Sequence, residues 1–170
     1  MRKIQLVLVA LIVLILSAFK ADHVITIYMI GDSTMSNKPL EGNNQERGWG
    51  HVLGSFFTED VRVENHAMNG RSSKSFIDEG HWETVVNKIR PGDYVFIQFG
   101  HNDEKPQPER HTDPGTTFDE NLRKFVRETR AKGGIPVLFN AIVRRNFRNN
   151  KNAVAEDDVR KDLSKGGVSQ

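Results

Sequence analysis

Four short runs of β-branched and aromatic residues, separated by stretches of helical or turn character, constrain this 170-residue chain more than any other feature. Residues 23–30 form the first run and end on Gly31. Residues 61–65, 94–99 and 135–143 form the others, and the third again runs straight into a glycine, Gly100. Between them, Val52, Leu53, Phe56 and Phe57 recur at helical spacing, which predicts a helix over residues 49–58. Trp82, Val85, Val86 and Ile89 mark one face of a second helix, stopped by Pro91-Gly92. Phe118, Leu122, Phe125 and Val126 mark a third, which runs to Lys132 and ends at Gly133-Gly134. Strand and helix alternating in this way predict an α/β domain, a parallel sheet covered by helices in a three-layer α/β/α arrangement. Such sheets carry their chemistry in the loops beyond the carboxyl ends of the strands. That rule selects residues 31–35, 66–73 and 100–105.

Residues 1–21 stand outside this pattern. Arg2 and Lys3 precede an apolar run over residues 4–19, interrupted only by Gln5 and Ser17 and broken by Lys20. This is the grammar of a secretory signal peptide, expected to be removed near residues 17–21. A retained anchor is the alternative, although the 16-residue run is short of the roughly 18–20 residues a spanning helix needs. An exported protein of periplasmic or secreted location follows, with no membrane contact beyond this segment. The chain has no cysteine, which excludes a disulfide framework. Removing the three cations of the export segment from the 24 in the chain leaves 21 against 22 acidic residues. A net charge of −1 gives no basic surface for a nucleic acid. The short cluster Arg144, Arg145, Arg148 and Lys151 reads as a solvated face. The globular part is assigned to residues 22–147. Residues 148–170 form a polar tail with no strand signal, so the fold is expected to be C-terminally incomplete.

Three of the selected loops hold reactive residue types. Gly31-Asp32-Ser33-Thr34 lies where a strand ends, the place for a nucleophilic serine with an exposed hydroxyl and a neighbouring N–H; an ordinary turn with a capping residue is the alternative. Asn69-Gly70-Arg71-Ser72-Ser73 could bring the Gly70 N–H to a substrate carbonyl, or hold a loop glycine and nothing more. Gly100-His101-Asn102-Asp103 could offer the Asn102 side-chain amide as a further donor, or form an Asn-Asp turn. Asp32 and Asp103 read as loop-ordering acceptors for backbone N–H groups. The histidines show no metal-ligand spacing and no cysteine joins them, so no metal and no cofactor is expected.

In this order and spacing, GDST at 31–34, NGRSS at 69–73 and GHND at 100–103 resemble the first three signature blocks of the SGNH (GDSL-like) hydrolases. With GWG at 48–50, EGHW at 79–82 and IVRR at 142–145, the chain is similar to the rhamnogalacturonan acetylesterase-like branch of that class. The resemblance spans residues 24–147 and implies a flavodoxin-like parallel sheet and a serine esterase acting by an acyl-enzyme. It implies Ser33 as nucleophile, with the Ser33 backbone, Gly70 and Asn102 as oxyanion hole. Arg71, His81 and His101 are candidate substrate-binding residues. The implied partner is an acetylated polysaccharide or oligosaccharide such as pectin or rhamnogalacturonan. That class completes its catalytic machinery with a late D-x-x-H block, and none follows Phe147. The spacing in Asp78-Glu79-Gly80-His81 reads as a decoy. These 170 residues alone are therefore expected to lack the catalytic histidine and to be inactive. A lipase or thioesterase of the same class, and a non-catalytic carbohydrate-binding remnant, are the competing readings.

Overall fold

A computed structural model describes residues 24–143. The expected export segment, the cluster at 144–151 and the polar tail therefore lie outside the described residues. Four strands, β1 (Ile25–Gly31), β2 (Val61–Asn65), β3 (Tyr94–Gln98) and β4 (Ile135–Leu138), form one sheet in the order β2-β1-β3-β4. All three pairings are parallel, with Met29 opposite Asn65 on one side and Gly31 opposite Gln98 on the other. The α/β fold with a parallel sheet read from the sequence is the fold observed.

Strand β1 is central and buried along almost its whole length, and its side chains alternate between two cores. Tyr28 and Ile30 point into the larger one with Val95, Ile97 and Phe99. There they meet Phe76 from helix α1 (Ser73–Asp78), Trp82 and Val85 from α2 (His81–Val86), and Phe118, Leu122, Phe125 and Val126 from α3 (Thr117–Ala131). Trp82 stands edge-on to Phe125 at 4.9 Å, and its indole N–H donates to Glu128 at 2.6 Å. Ile27 and Met29 point to the opposite face, with Met35, Ala67 and the partly buried Trp49, Leu53 and Phe96.

The helix predicted over residues 49–58 is instead two 3-10 turns, Trp49–His51 and Leu53–Phe56. The reason lies in the backbone around it. The N–H groups of Trp49 and Gly50 donate to Thr34 and Met35 carbonyls, outside any helical ladder. A Cβ on Gly48 would come within 2.0 Å of the Ser36 carbonyl, and one on Gly50 within 2.6 Å of that of Met35. The GWG sequence is thus a close-packed floor under the loop after β1. Helix α1 escaped the sequence reading. It is opened by Ser72, whose hydroxyl accepts from the Ser75 N–H at 3.1 Å while the Ser75 hydroxyl accepts from the Ser72 N–H at 2.9 Å. Strand β4 is shorter than the run at 135–143. After Phe139, whose N–H still donates to Ile97, the Asn140 carbonyl is taken by the Gln98 amide and the Ile142 carbonyl by His101.

Candidate active site

The loops after β1, β2 and β3 leave the same edge of the sheet, and hydrogen bonds tie them to one another. In the first, the Asp32 carboxylate turns back to accept from the N–H and hydroxyl of Thr34, both at 2.8 Å. Its carbonyl accepts from the N–H groups of Met35 and Ser36. This makes a tight turn that leaves Ser33 partly exposed at its crest. The Thr34 hydroxyl and the Trp49 indole both reach Oε1 of Gln98, at 3.1 and 2.7 Å, anchoring the turn to the end of β3.

The second loop joins the first through two asparagines. Asn65 donates to the Met35 carbonyl at 2.9 Å, and the Met68 N–H donates to the Gly31 carbonyl. Oδ1 of Asn69 accepts from the Ser36 hydroxyl at 2.7 Å and from the Lys38 ammonium. Gly70 follows with φ +74°, a left-handed conformation that a side chain disfavours. The third loop then meets the second. The buried Asn102 donates its side-chain amide to the Arg71 carbonyl at 3.0 Å. Oδ1 of Asp103 accepts from the N–H and hydroxyl of Ser73 and from the Thr112 hydroxyl, at 2.9, 2.5 and 3.0 Å. Its Oδ2 is buried without a partner among the described residues. Burial pushes the Asp103 carboxyl up to about 6, against the opposing pull of its bonds to Ser73 and Thr112. Asp32 and Asp103 thus order their loops as the sequence suggested.

Several backbone donors in these loops are left over, those of Ser33, Asn69, Gly70 and Asn102 among them. Neither the Ser33 N–H nor the Gly70 N–H has a protein acceptor among the described residues. Unclaimed N–H groups on a serine turn and on the glycine loop that Asn69 ties to it, with a buried asparagine amide in the third loop, are the parts from which an oxyanion site is built. The histidines are engaged elsewhere. His101 is fully buried, its Nε2 donates to the Ile142 carbonyl at 2.6 Å, and its Nδ1 lies 3.6 Å from Asp32. It braces the first and third loops. His81 bonds Glu79 at 2.9 Å and leans on Phe76, and His66 pairs with Glu64. Arg71 also holds Glu79, at 2.7 Å. Partial burial pushes the Glu79 carboxyl up, but the bonds from Arg71 and His81 outweigh it and hold it below its ordinary value. Among the described residues no group of three or more acidic or histidine side chains could hold a metal ion. Gln98, Lys38 and Asn65 were not singled out from sequence, and Asn69 was read there only as the opening residue of the glycine block. The signal for Gln98 was a polar residue closing an apolar strand, and for Asn65 an asparagine at a strand end.

The carboxyl edge of the parallel sheet thus gathers a serine turn, a glycine loop and an asparagine loop. The chain belongs to the GDSL-like Lipase/Acylhydrolase family, whose profile matches residues 29–165. It is similar to RhgT of Bacillus subtilis, a rhamnogalacturonan acetylesterase, with 43% identity over 126 residues, 74% of this chain and 53% of the relative. It is also similar to YesY of the same organism, named a probable rhamnogalacturonan acetylesterase, with 40% identity over 130 residues, 76% of this chain and 58% of the relative. The chain thus spans a little over half the length of these two relatives. Among solved structures, the YxiM protein of Bacillus subtilis superposes with a TM-score of 0.67 at 27% identity, covering 84% of this chain and 40% of that one. A variant of Axe2, an acetyl xylan esterase from Geobacillus stearothermophilus, shares the fold, with a TM-score of 0.54 at 18% identity over 84% of this chain and 68% of that one.

Proposed function

We propose that the protein is an exported serine esterase that removes acetyl groups from a plant-type acidic polysaccharide of the rhamnogalacturonan kind. The observation that carries this reading is the unclaimed N–H groups of Ser33 and Gly70, in loops that Asn69 and Asn102 tie together at one edge of the sheet. The two curated acetylesterases with 40% and 43% identity support the choice of ester and of polymer. The polar rim supplied by Asn69 and Arg71 suits a sugar better than an acyl chain.

In this reading the Ser33 hydroxyl attacks the acetyl carbonyl carbon, and negative charge gathers on the carbonyl oxygen. The Ser33 and Gly70 N–H groups and the Asn102 amide stabilise it. Collapse expels the sugar hydroxyl and leaves acetyl on Ser33, and water then releases acetate. The attack needs a base to take the serine proton, and His66, His81, His101 and His111 are bound to other partners. We assign that base to sequence outside these 170 residues, where the family's D-x-x-H block is expected. The 170-residue chain alone is then a poor catalyst, held to the residual roughly 10³–10⁴-fold acceleration that binding and an oxyanion hole supply without a base. Export through residues 1–21, to the periplasm or beyond, belongs to the same reading. The test compares acetate release from acetylated rhamnogalacturonan by the 170-residue chain and by a form extended past Gln170 to the next D-x-x-H block. The extended form should be faster by at least two orders of magnitude. Equal rates would return the base to a histidine within the chain.

A further inference from the structure

Lys38 is an unusual residue to find beside a serine turn. It is only 8% exposed, yet no carboxylate pairs with it among the described residues. Burying an ammonium without a counter-charge opposes folding, and the one bond that compensates it goes to a neutral group, Oδ1 of Asn69. An ammonium has donors and no acceptor, so only the oxygen of the Asn69 amide can face it. The Ser36 hydroxyl approaches the same oxygen at 2.7 Å and also lies 3.5 Å from the Ser33 carbonyl. The Asn69 amide is therefore held in one of its two orientations by a residue of fixed polarity. That orientation leaves Nδ2, with its two hydrogens, without a protein partner on an exposed residue directly preceding Gly70. The Asn69 carbonyl is fixed as well, by Arg71 at 3.2 Å.

We propose that Asn69 is a specificity-determining residue whose Nδ2 donates to an oxygen of the sugar that bears the ester, and that Lys38 is the positioning residue that keeps this donor turned outward. The proposal rests on the serine esterase reading above, because it places the sugar next to Gly70. It accounts for the cost of burying Lys38, since a neutral partner at that position would let the amide flip and present an acceptor in place of a donor. The ligand recognised is a hydroxyl or ring oxygen adjacent to an acetylated position, which a simple aryl acetate lacks.

The test uses the full-length protein and two substrates, an acetylated oligosaccharide and p-nitrophenyl acetate, with thermal melting to show that each variant is folded. Asn69→Ala should lower kcat/KM on the oligosaccharide roughly 3- to 10-fold, mainly through KM, the loss of one hydrogen bond. It should leave p-nitrophenyl acetate within about 2-fold by the same reasoning. Asn69→Asp keeps an acceptor for Lys38 but removes the outward donor, so it should show the same selective loss even if Asn69→Ala folds poorly. Lys38→Met should behave likewise, and the double variant K38M/N69A should be no worse than N69A, because Lys38 acts through Asn69. Parallel loss on both substrates, or no loss on the oligosaccharide, would overturn the proposal. Ser33→Ala measured beside them separates the two claims. If it keeps full activity, the esterase reading itself fails. If it is inactive while Asn69→Asp equals the parent, only the role of Asn69 does.

Discussion

The two edges of this sheet are both rich in buried polar groups, and only one of them is arranged for chemistry. At the amino edge, Asp93 is fully buried at the entrance to β3. Its two oxygens accept from the backbone N–H groups of Thr26 and Arg90 at 2.9 and 2.8 Å. A groove of about 1120 Å³ opens nearby, lined in part by Tyr28, Arg62, Glu64 and Lys88, and there the charged groups answer one another. Glu64 holds Lys88 and Arg62, each at 3.2 Å. At the carboxyl edge, Asp32 and Asp103 likewise saturate their neighbours, but the saturation stops short of the Ser33 and Gly70 N–H groups. The contrast shows that burial and polarity alone do not mark a site. What separates the edges is a set of donors left unused in the loops that carry Ser33, the nucleophile of the proposed function.

This contrast can be broken or sharpened by substitution at each edge, beginning with the largest expected effect. At the carboxyl edge, Asn102→Ala in the full-length protein should reduce kcat for acetate release by roughly 10²–10³, about 2.7–4 kcal/mol of transition-state stabilisation. Its melting temperature should move much less in proportion. A loss confined to KM would mean that Asn102 binds substrate and does not serve the oxyanion. At the amino edge the pattern should reverse. Asp93→Ala leaves the Thr26 and Arg90 N–H groups without their acceptor and should cost about 2–4 kcal/mol of stability in urea unfolding. The kcat of the folded protein should be unchanged, and a catalytic defect at full folding would erase the distinction between the edges.

Asp103 offers a pH test of the same idea. A carboxyl pushed up from its ordinary 3.8 to about 6 binds its proton more tightly in the folded chain than in the unfolded one. Its contribution to stability is full below about pH 4, declines as pH rises toward 6 and is flat beyond, a change on the order of 3 kcal/mol. Glu64, Glu79 and Glu128, all held below their ordinary values, slope the opposite way in the parent protein. The difference between the parent and Asp103→Asn cancels them. Stability relative to the Asn variant should fall between pH 4 and 6, and a flat difference would mean that Asp103 titrates normally. The smallest effect belongs to Arg71 and Glu79. With side chains about a third exposed or more, a double-mutant cycle should give a coupling below about 1 kcal/mol.

Much of this was legible in the sequence for physical reasons that can be named. The central strand β1 was readable because a β-branched run buried on both faces leaves a continuous signal, and Val61–Asn65 was bounded correctly. Helix α3 was readable from its apolar stripe. The 3-10 turns at 49–56 imitate a helix because their apolar spacing is the same, and only the contacts of Gly48 and Gly50 with the serine turn decide otherwise. Helix α1 hid because its capping partner at the third position is Ser75, not the Glu or Gln of the usual pattern. The serine, glycine and asparagine blocks were found by order and spacing. The struts between them were not, because Gln98 and Lys38 come from different segments and look like ordinary polar residues until folding joins them to the blocks.

The central claim is that Ser33 carries the acyl group. The most direct measurement is mass spectrometry of the full-length protein after reaction with a serine-directed phosphonate, run beside acetate release by Ser33→Ala. The account predicts one equivalent of label on the peptide containing Ser33, blocked by prior incubation with substrate, and no acetate release by the variant above background. Label on any other residue, or acetate release by Ser33→Ala at a rate near the parent's, would contradict it.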